Sequence, residues 1–298
     1  MVTSTDYKTS SIIGRTSAAS VYQQIIADLT SAQALLSNDY SFSTGEKVRP
    51  NKWAATALLA RVYLYNKDWA NAQAQSNAVI SANIYTPLPS LDNAFLANNT
   101  EAIWQLKPVN LSYNTYEGLL IPPSLTTLPS YPLSNSLIQS FEAGDNRLTS
   151  WTGIAVVAGN NYYFPYKYKI RDGSTQTEYY TVLRLSEQYL IRAEAEANGA
   201  GNGINAALID LNVIRNRAGL ANYGGLTDQT SVLAAIAHER QVELFAEWGH
   251  RFFDLKRTGK INSVLGIAKL NWQPNAALWP IPITQINANN SLTQNPGY

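Results

Sequence analysis

Apolar positions recur at helical spacing in four stretches of this chain. Over 17–36, Val21, Ile25, Leu29, Ala32 and Leu36 fall on one stripe at intervals of three and four, with Thr16 or Ser17 placed to cap it. Residues 51–83 predict two helices joined at Asn66-Lys67, with Asp68 capping the second. Residues 183–218 predict another pair, broken at Gly201-Asn202-Gly203 and stopped at Gly219. A final helical block covers 228–258, with a break at Gly249. Between the first two pairs, residues 84–182 lose the periodicity and fill with Pro, Asn, Ser, Gly and aromatics. Only pieces such as EAIWQL and NYYFPYKYKI read as strand. The tail, 270–298, predicts extended chain, because Pro280 and Pro282 oppose helix.

Small residues sit where paired helices must approach closely. Ala60, Tyr63, Trp69 and Ala72 match part of the tetratricopeptide spacing, with Thr56 where that pattern expects tryptophan. The fold class expected is therefore all-α. Helical hairpins over 15–83 and 183–260 form a scaffold, and 84–182 is a loop-rich insert positioned to carry binding chemistry. Together with the tail they are expected to make one domain over 1–298.

Composition narrows the chemistry. Net charge is +1 and charged residues are only 14% of the chain, so nothing offers the basic footprint that nucleic acid requires. No apolar run is long enough to span a bilayer. Cysteine is absent and there are two histidines, His238 and His250, which exclude thiolate sites and histidine-rich metal centres. No metal or cofactor is expected. His238-Glu239 opens like a zinc-protease motif, but Val242 stands where the second histidine belongs. In place of charge there are 28 asparagines, 18 tyrosines and 7 tryptophans. Amides and ring faces suit sugars, which present hydroxyls at their edges and C–H groups on their faces. The first fifteen residues contain no apolar signal core and no lipid-acceptor cysteine.

Charges on the last helical block interrupt its apolar face. Arg240 lies on the stripe of Leu233, Ile236, Ala237 and Leu244, and Glu194 lies on that of Leu190, Ala193 and Ala197. Arg240 is expected to meet Glu194 or Glu243 between helices, and Arg251 to pair with Asp254 at i, i+3. These read as ionic clasps fixing helix register. Asp145 and Arg147 read as a pair ordering the insert.

Four blocks in order give the chain a resemblance: AATALLARVYLYNKDWANA, then LRLSEQYLIRAEAEANG with DLNVIRNRAGL, then ERQVELFAEWGHRFFDLKRTGK, and finally PIPITQINANNSLTQNPGY. Together they resemble the SusD/RagB family of Bacteroidetes surface lipoproteins across about 15–298. The resemblance implies a tetratricopeptide-like fold with a loop face that binds glycans, and no catalysis. It also implies a SusC-like TonB-dependent transporter as partner. The lipoprotein signal, its acceptor cysteine and the family's first helical segment are not in this sequence. The chain therefore looks like the C-terminal majority of a longer protein or an unusually short member, and the resemblance implies an outer-membrane lipid anchor only for a parent protein.

The ligand candidates are rings and amides of the insert: Tyr113, Asn114, Tyr116, Trp151, Asn161, Tyr162 and Tyr163, with Trp272 on a loop of the tail. Trp53, Trp69, Trp104, Trp248 and Trp279 read as packing residues. The function expected is non-catalytic binding of an oligosaccharide or polysaccharide at the cell surface. Three alternatives stand beside it. A RagB-like cleft would take peptides, and a tetratricopeptide-type groove would take a protein partner. A glycoside hydrolase would need two of Glu101, Glu117, Glu142 and Asp145 facing a cleft.

Overall fold

The computed structural model describes residues 1–109, 112–173 and 175–298. The longer helices are α1 (Ala18–Leu35), α2 (Lys52–Tyr65), α3 (Trp69–Ser81), α4 (Leu185–Ala197), α5 (Gly203–Arg217), α6 (Gln229–Glu243), α7 (His250–Arg257), α8 (Ile261–Ala268) and α9 (Ile283–Ala288). Among the described residues four strands, β1 (Ala102–Leu106), β2 (Thr152–Val157), β3 (Asn160–Pro165) and β4 (Tyr180–Arg184), form two antiparallel pairs. The chain is thus mostly helical, as its periodicity predicts. It divides into two compact units, residues 29–251 and residues 1–28 with 252–298.

In the larger unit the hairpins stack through alanine. Asn51 and Asp68 cap α2 and α3 with their side chains, and Lys67 turns the corner with φ of 60°. Ala60, Leu64 and Ala72 of α2 and α3 bury against Ile191 and Ala195 of α4. The other side of α4, Ala193 and Ala197, packs on Ala207 and Leu211 of α5 and on Val232 and Ile236 of α6. Side chains this small bring helix axes close and keep the hairpins in register.

Two helix limits differ from the sequence reading. Leu183 and Arg184 belong to β4, which pairs Ala102 with Arg184 and Leu106 with Tyr180. The last block breaks at Leu244, well before Gly249. Ala246 and Trp248 adopt φ of 55° and 42° ahead of Gly249 at 73°, a region that opposes continued helix.

The insert owes its order to β2–β3 and to a core it shares with the end of α6 and the residues just after it. Ala158 and Gly159 both take positive φ, 50° and 79°, which suits the two-residue turn of a hairpin. The core gathers Leu91, Phe95, Phe141, Trp151, Tyr168, Val242 and Phe245.

In the smaller unit, the tail is held against the N-terminal residues. The Arg15 guanidinium donates to Asn295 Oδ1 at 2.8 Å, and the Asn289 amide donates to Ile13 O at 3.0 Å. The tail is not wholly extended. Pro282 occupies the N-cap of α9 with φ of −54°, where its missing N–H costs the helix nothing. No described helix is long and apolar enough to cross a membrane.

Candidate functional site

Few charges exist in this chain, and many of them are inside. Arg147, 0% exposed, donates to Asp145 at 2.8 Å, Glu239 at 2.6 Å and Glu243 at 3.0 Å. Arg184 donates to Glu243 at 2.6 Å and Glu247 at 2.8 Å. Arg217 joins Glu101 at 2.8 Å and also reaches Glu243. Lys167 donates to Glu247 at 2.5 Å. Burial alone would raise the Glu243 carboxyl, yet the guanidinium groups of Arg217, Arg184 and Arg147 hold it well below the usual carboxylate range. Burial pushes the Lys167 amine down to about 8, opposed by Glu247. The network ties the insert, β4, α5 and α6 into one floor.

Glu247 is the hinge between this floor and the surface. It is buried, while its neighbours Ala246 and Trp248 are exposed, and both take left-handed backbone. Such backbone is sparsely populated by residues with a Cβ and costs about 1–3 kcal/mol each. The ion pairs on Glu247 hold it, as does the Trp248 indole N–H, which donates to Thr181 O at 2.7 Å. Trp248 is 49% exposed. The sequence reading of Trp248 as packing is corrected: the residue lies outside the helix, on the strained loop after it.

Ala246 lines a cleft with Glu117, Leu120, Pro129, Tyr131, Phe164 and Pro165. Thr115 Oγ1 accepts from Gly118 N and starts the short helix Tyr116–Leu119. The Tyr116 N–H donates to Tyr180 Oη, and Arg171 donates to Leu119 O at 2.9 Å and Ile121 O at 2.7 Å. Tyr116 and Tyr131 are among the open rings here. Glu117 is exposed at the rim, and desolvation by the surroundings raises its carboxyl pKa.

The sequence-predicted residues separate. Tyr116 is exposed next to the cleft residue Glu117 in the chain, and Tyr113 is half-buried in the preceding turn. Asn114 is fully buried and is no ligand contact: its Oδ1 accepts from Thr177 N at 2.7 Å and Glu178 N at 2.9 Å, and its amide donates to Thr175 O. Trp151 is likewise corrected. It is 0% exposed, with its indole N–H given to Leu91 O at 2.9 Å and Lys167 over its ring. Tyr162 and Tyr163, half-buried on β3, pair with Ala155 and Ile154. As consecutive strand residues they face opposite sides of the hairpin and cannot share one site. Asn161 is exposed opposite Val156. Trp272 belongs to the smaller unit, where its indole donates to Asn262 Oδ1 at 3.0 Å.

Among the charged candidates, Arg240 Nε lies 4.0 Å from Glu194 Oε2, and Glu243 serves Arg147, Arg184 and Arg217. Asp254 receives Arg257 at 2.8 Å, and Arg251 is half-buried. Of the four insert carboxylates, Glu101, Asp145 and Glu142 are bound to Arg217, Arg147 and Arg215. Sequence reading missed Tyr131 as a wall of the cleft and Trp248 as an exposed ring. No periodic signal marks them, because both lie on irregular chain.

Known proteins share this architecture. SusD-like protein P25 of Formosa agariphila is 24% identical over 357 residues, covering 96% of this chain and 66% of the relative. The chain thus spans about two thirds of that relative's length. A SusD superfamily structure from Bacteroides vulgatus superposes with a TM-score of 0.80 at 20% identity, covering 99% of this chain and 72% of the other. A laminarin-binding SusD-like protein superposes with a TM-score of 0.72 at 26% identity, covering 94% and 69%. Residues 4–298 match the pattern of the SusD family, and the chain belongs to that family.

Proposed function

We propose that this protein is a non-catalytic, cell-surface glycan-binding protein that passes oligosaccharide to a SusC-like TonB-dependent transporter at the outer membrane. The observation carrying this reading is an apolar cleft with an open ring in its wall, Tyr131 with Glu117, Phe164 and Ala246, and two more exposed rings, Tyr116 and Trp248, within two residues of wall residues along the chain. Ring faces stack on sugar C–H surfaces, and a carboxylate accepts from hydroxyls. The laminarin-binding relative supports the same cargo class. A non-catalytic role is supported by the carboxylates: Glu101, Asp145 and Glu142 are tied to arginine, leaving the cleft one acid among the described residues, where glycoside hydrolysis uses two.

Stacking and a few solvent-competed hydrogen bonds, about 0.5–1.5 kcal/mol each, imply micromolar to millimolar affinity for a short oligosaccharide. Calorimetry with neutral oligosaccharides, laminarin fragments first, tests this. Wild type binds, and Trp248→Ala and Tyr116→Ala each lose about tenfold. Heat with peptides and none with any glycan overturns the reading. Co-purification of the protein with a TonB-dependent transporter from native membranes tests the partnership.

A further inference from the structure

We infer that Glu117 makes the cleft selective for uncharged glycans and excludes sulfated or uronate-bearing ones; this rests on the glycan reading above. Most buried acids around the charged floor are committed to a counter-charge or to backbone donors. Glu101, Asp145, Glu239, Glu243, Glu247, Glu187 and Asp210 each take a guanidinium or ammonium group, and Glu178 accepts from Lys169 N at 2.7 Å and Ile170 N at 3.1 Å. Among the described residues no cation or donor side chain reaches Glu117, whose only neighbour of that kind is its own backbone N–H. It stands in a cleft whose other walls are Leu120, Pro129, Tyr131, Phe164, Pro165 and Ala246.

Nearby cations do not offset it. Arg171 gives its guanidinium to Leu119 O, Ile121 O and Asp172, at 2.9, 2.7 and 3.2 Å, and Lys169 is paired with Asp92. The groups that feel the Glu117 charge are the phenols of Tyr180 and Tyr168, which are neutral donors or acceptors. A carboxylate against apolar walls that is engaged only by its own backbone N–H keeps acceptor capacity for vicinal hydroxyls. It also repels any anion brought beside it. Neutral sugars gain the first effect and escape the second.

The test is calorimetry with a neutral laminarin hexasaccharide and its sulfated derivative, on wild type, Glu117→Gln and Glu117→Asp. Wild type should prefer the neutral oligomer by at least about tenfold, or about 1.4 kcal/mol. Glu117→Gln keeps the shape and removes the charge, so the ratio should shrink to about threefold or less. Glu117→Asp keeps the charge and should keep most of the preference, with circular dichroism confirming that both variants fold. A preference unchanged in Glu117→Gln, or a wild type that favours the sulfated oligomer, overturns the inference while leaving glycan binding intact. Failure of wild type to bind either oligomer, with peptides binding instead, overturns both.

Discussion

The Lys167 ammonium stands 4.5 Å from the centre of the Trp151 ring and 4.2 Å from that of Phe245. A buried cation is thus sandwiched by aromatic faces and neutralised by Glu247. Trp151 also has the guanidinium of Arg217 5.4 Å from its ring centre. The indole is therefore the apolar partner of the ion network as well as a core side chain. Trp151→Ala should cost about 3–5 kcal/mol of stability through the cavity it leaves. Urea denaturation measures this; a loss under about 1 kcal/mol would show that the network does not depend on the ring.

Arg147 tests the network from the other side. Three carboxylates, Asp145, Glu239 and Glu243, meet its one guanidinium. Arg147→Met should destabilise by about 3–5 kcal/mol, because it leaves buried acids short of a counter-charge. Arg147→Lys should recover only part of that. A lysine restores the charge but cannot present the fork that reaches Asp145 through Nε and Nη2 and Glu239 through Nη1. Full recovery in chemical denaturation would make the interaction one of charge alone.

Elements with strong period and clear caps were legible in the sequence. Asn51 and Asp68 punctuate α2 and α3 where the residues say they should, and the alanines of α2–α6 announce close packing. The site was less legible. Trp151 and Asn114 look like exposed insert residues, because nothing local reveals that a lysine 16 residues on, or a backbone segment 60 residues on, will enclose them. Trp248 hides within a helical pattern. Its exposure depends on Glu247 being drawn into the floor by Arg184 and Lys167, which are remote in sequence. Tertiary charge pairing overrode helix propensity there.

Gly118 offers a way to move the cleft without touching its rings. A Cβ there would lie 2.3 Å from Ile170 O, a backbone atom that cannot swing aside. Gly118→Ala should displace the Tyr116–Leu119 turn, which carries both Tyr116 and Glu117. Stability should fall by about 1–3 kcal/mol. Oligosaccharide affinity, measured on the fraction that remains folded, should fall several-fold. Unaltered affinity in calorimetry would separate this turn from the binding surface.

His250 gives the protein a pH dependence with a definite sign. The ring is buried, and burial is the largest cause of its pKa falling to about 4, assisted by Arg61 and Arg240 and opposed by Glu187 and Glu247. Its Nδ1 lies 3.9 Å from Glu187, whose carboxylate is already engaged by Arg61 at 2.6 Å. The folded ring therefore stays neutral at a pH where the unfolded ring, with its ordinary value near 6.5, takes a proton. The unfolded state binds more protons between these values, so stability drops as pH falls through 6.5 toward 4. From pH 7 to pH 5 the His250 contribution should decline by about 2 kcal/mol. His250→Gln lacks the titration and should lose less stability than wild type over that interval. Urea unfolding of both proteins at the two pH values measures the difference; parallel losses would mean that His250 is protonated in the folded state.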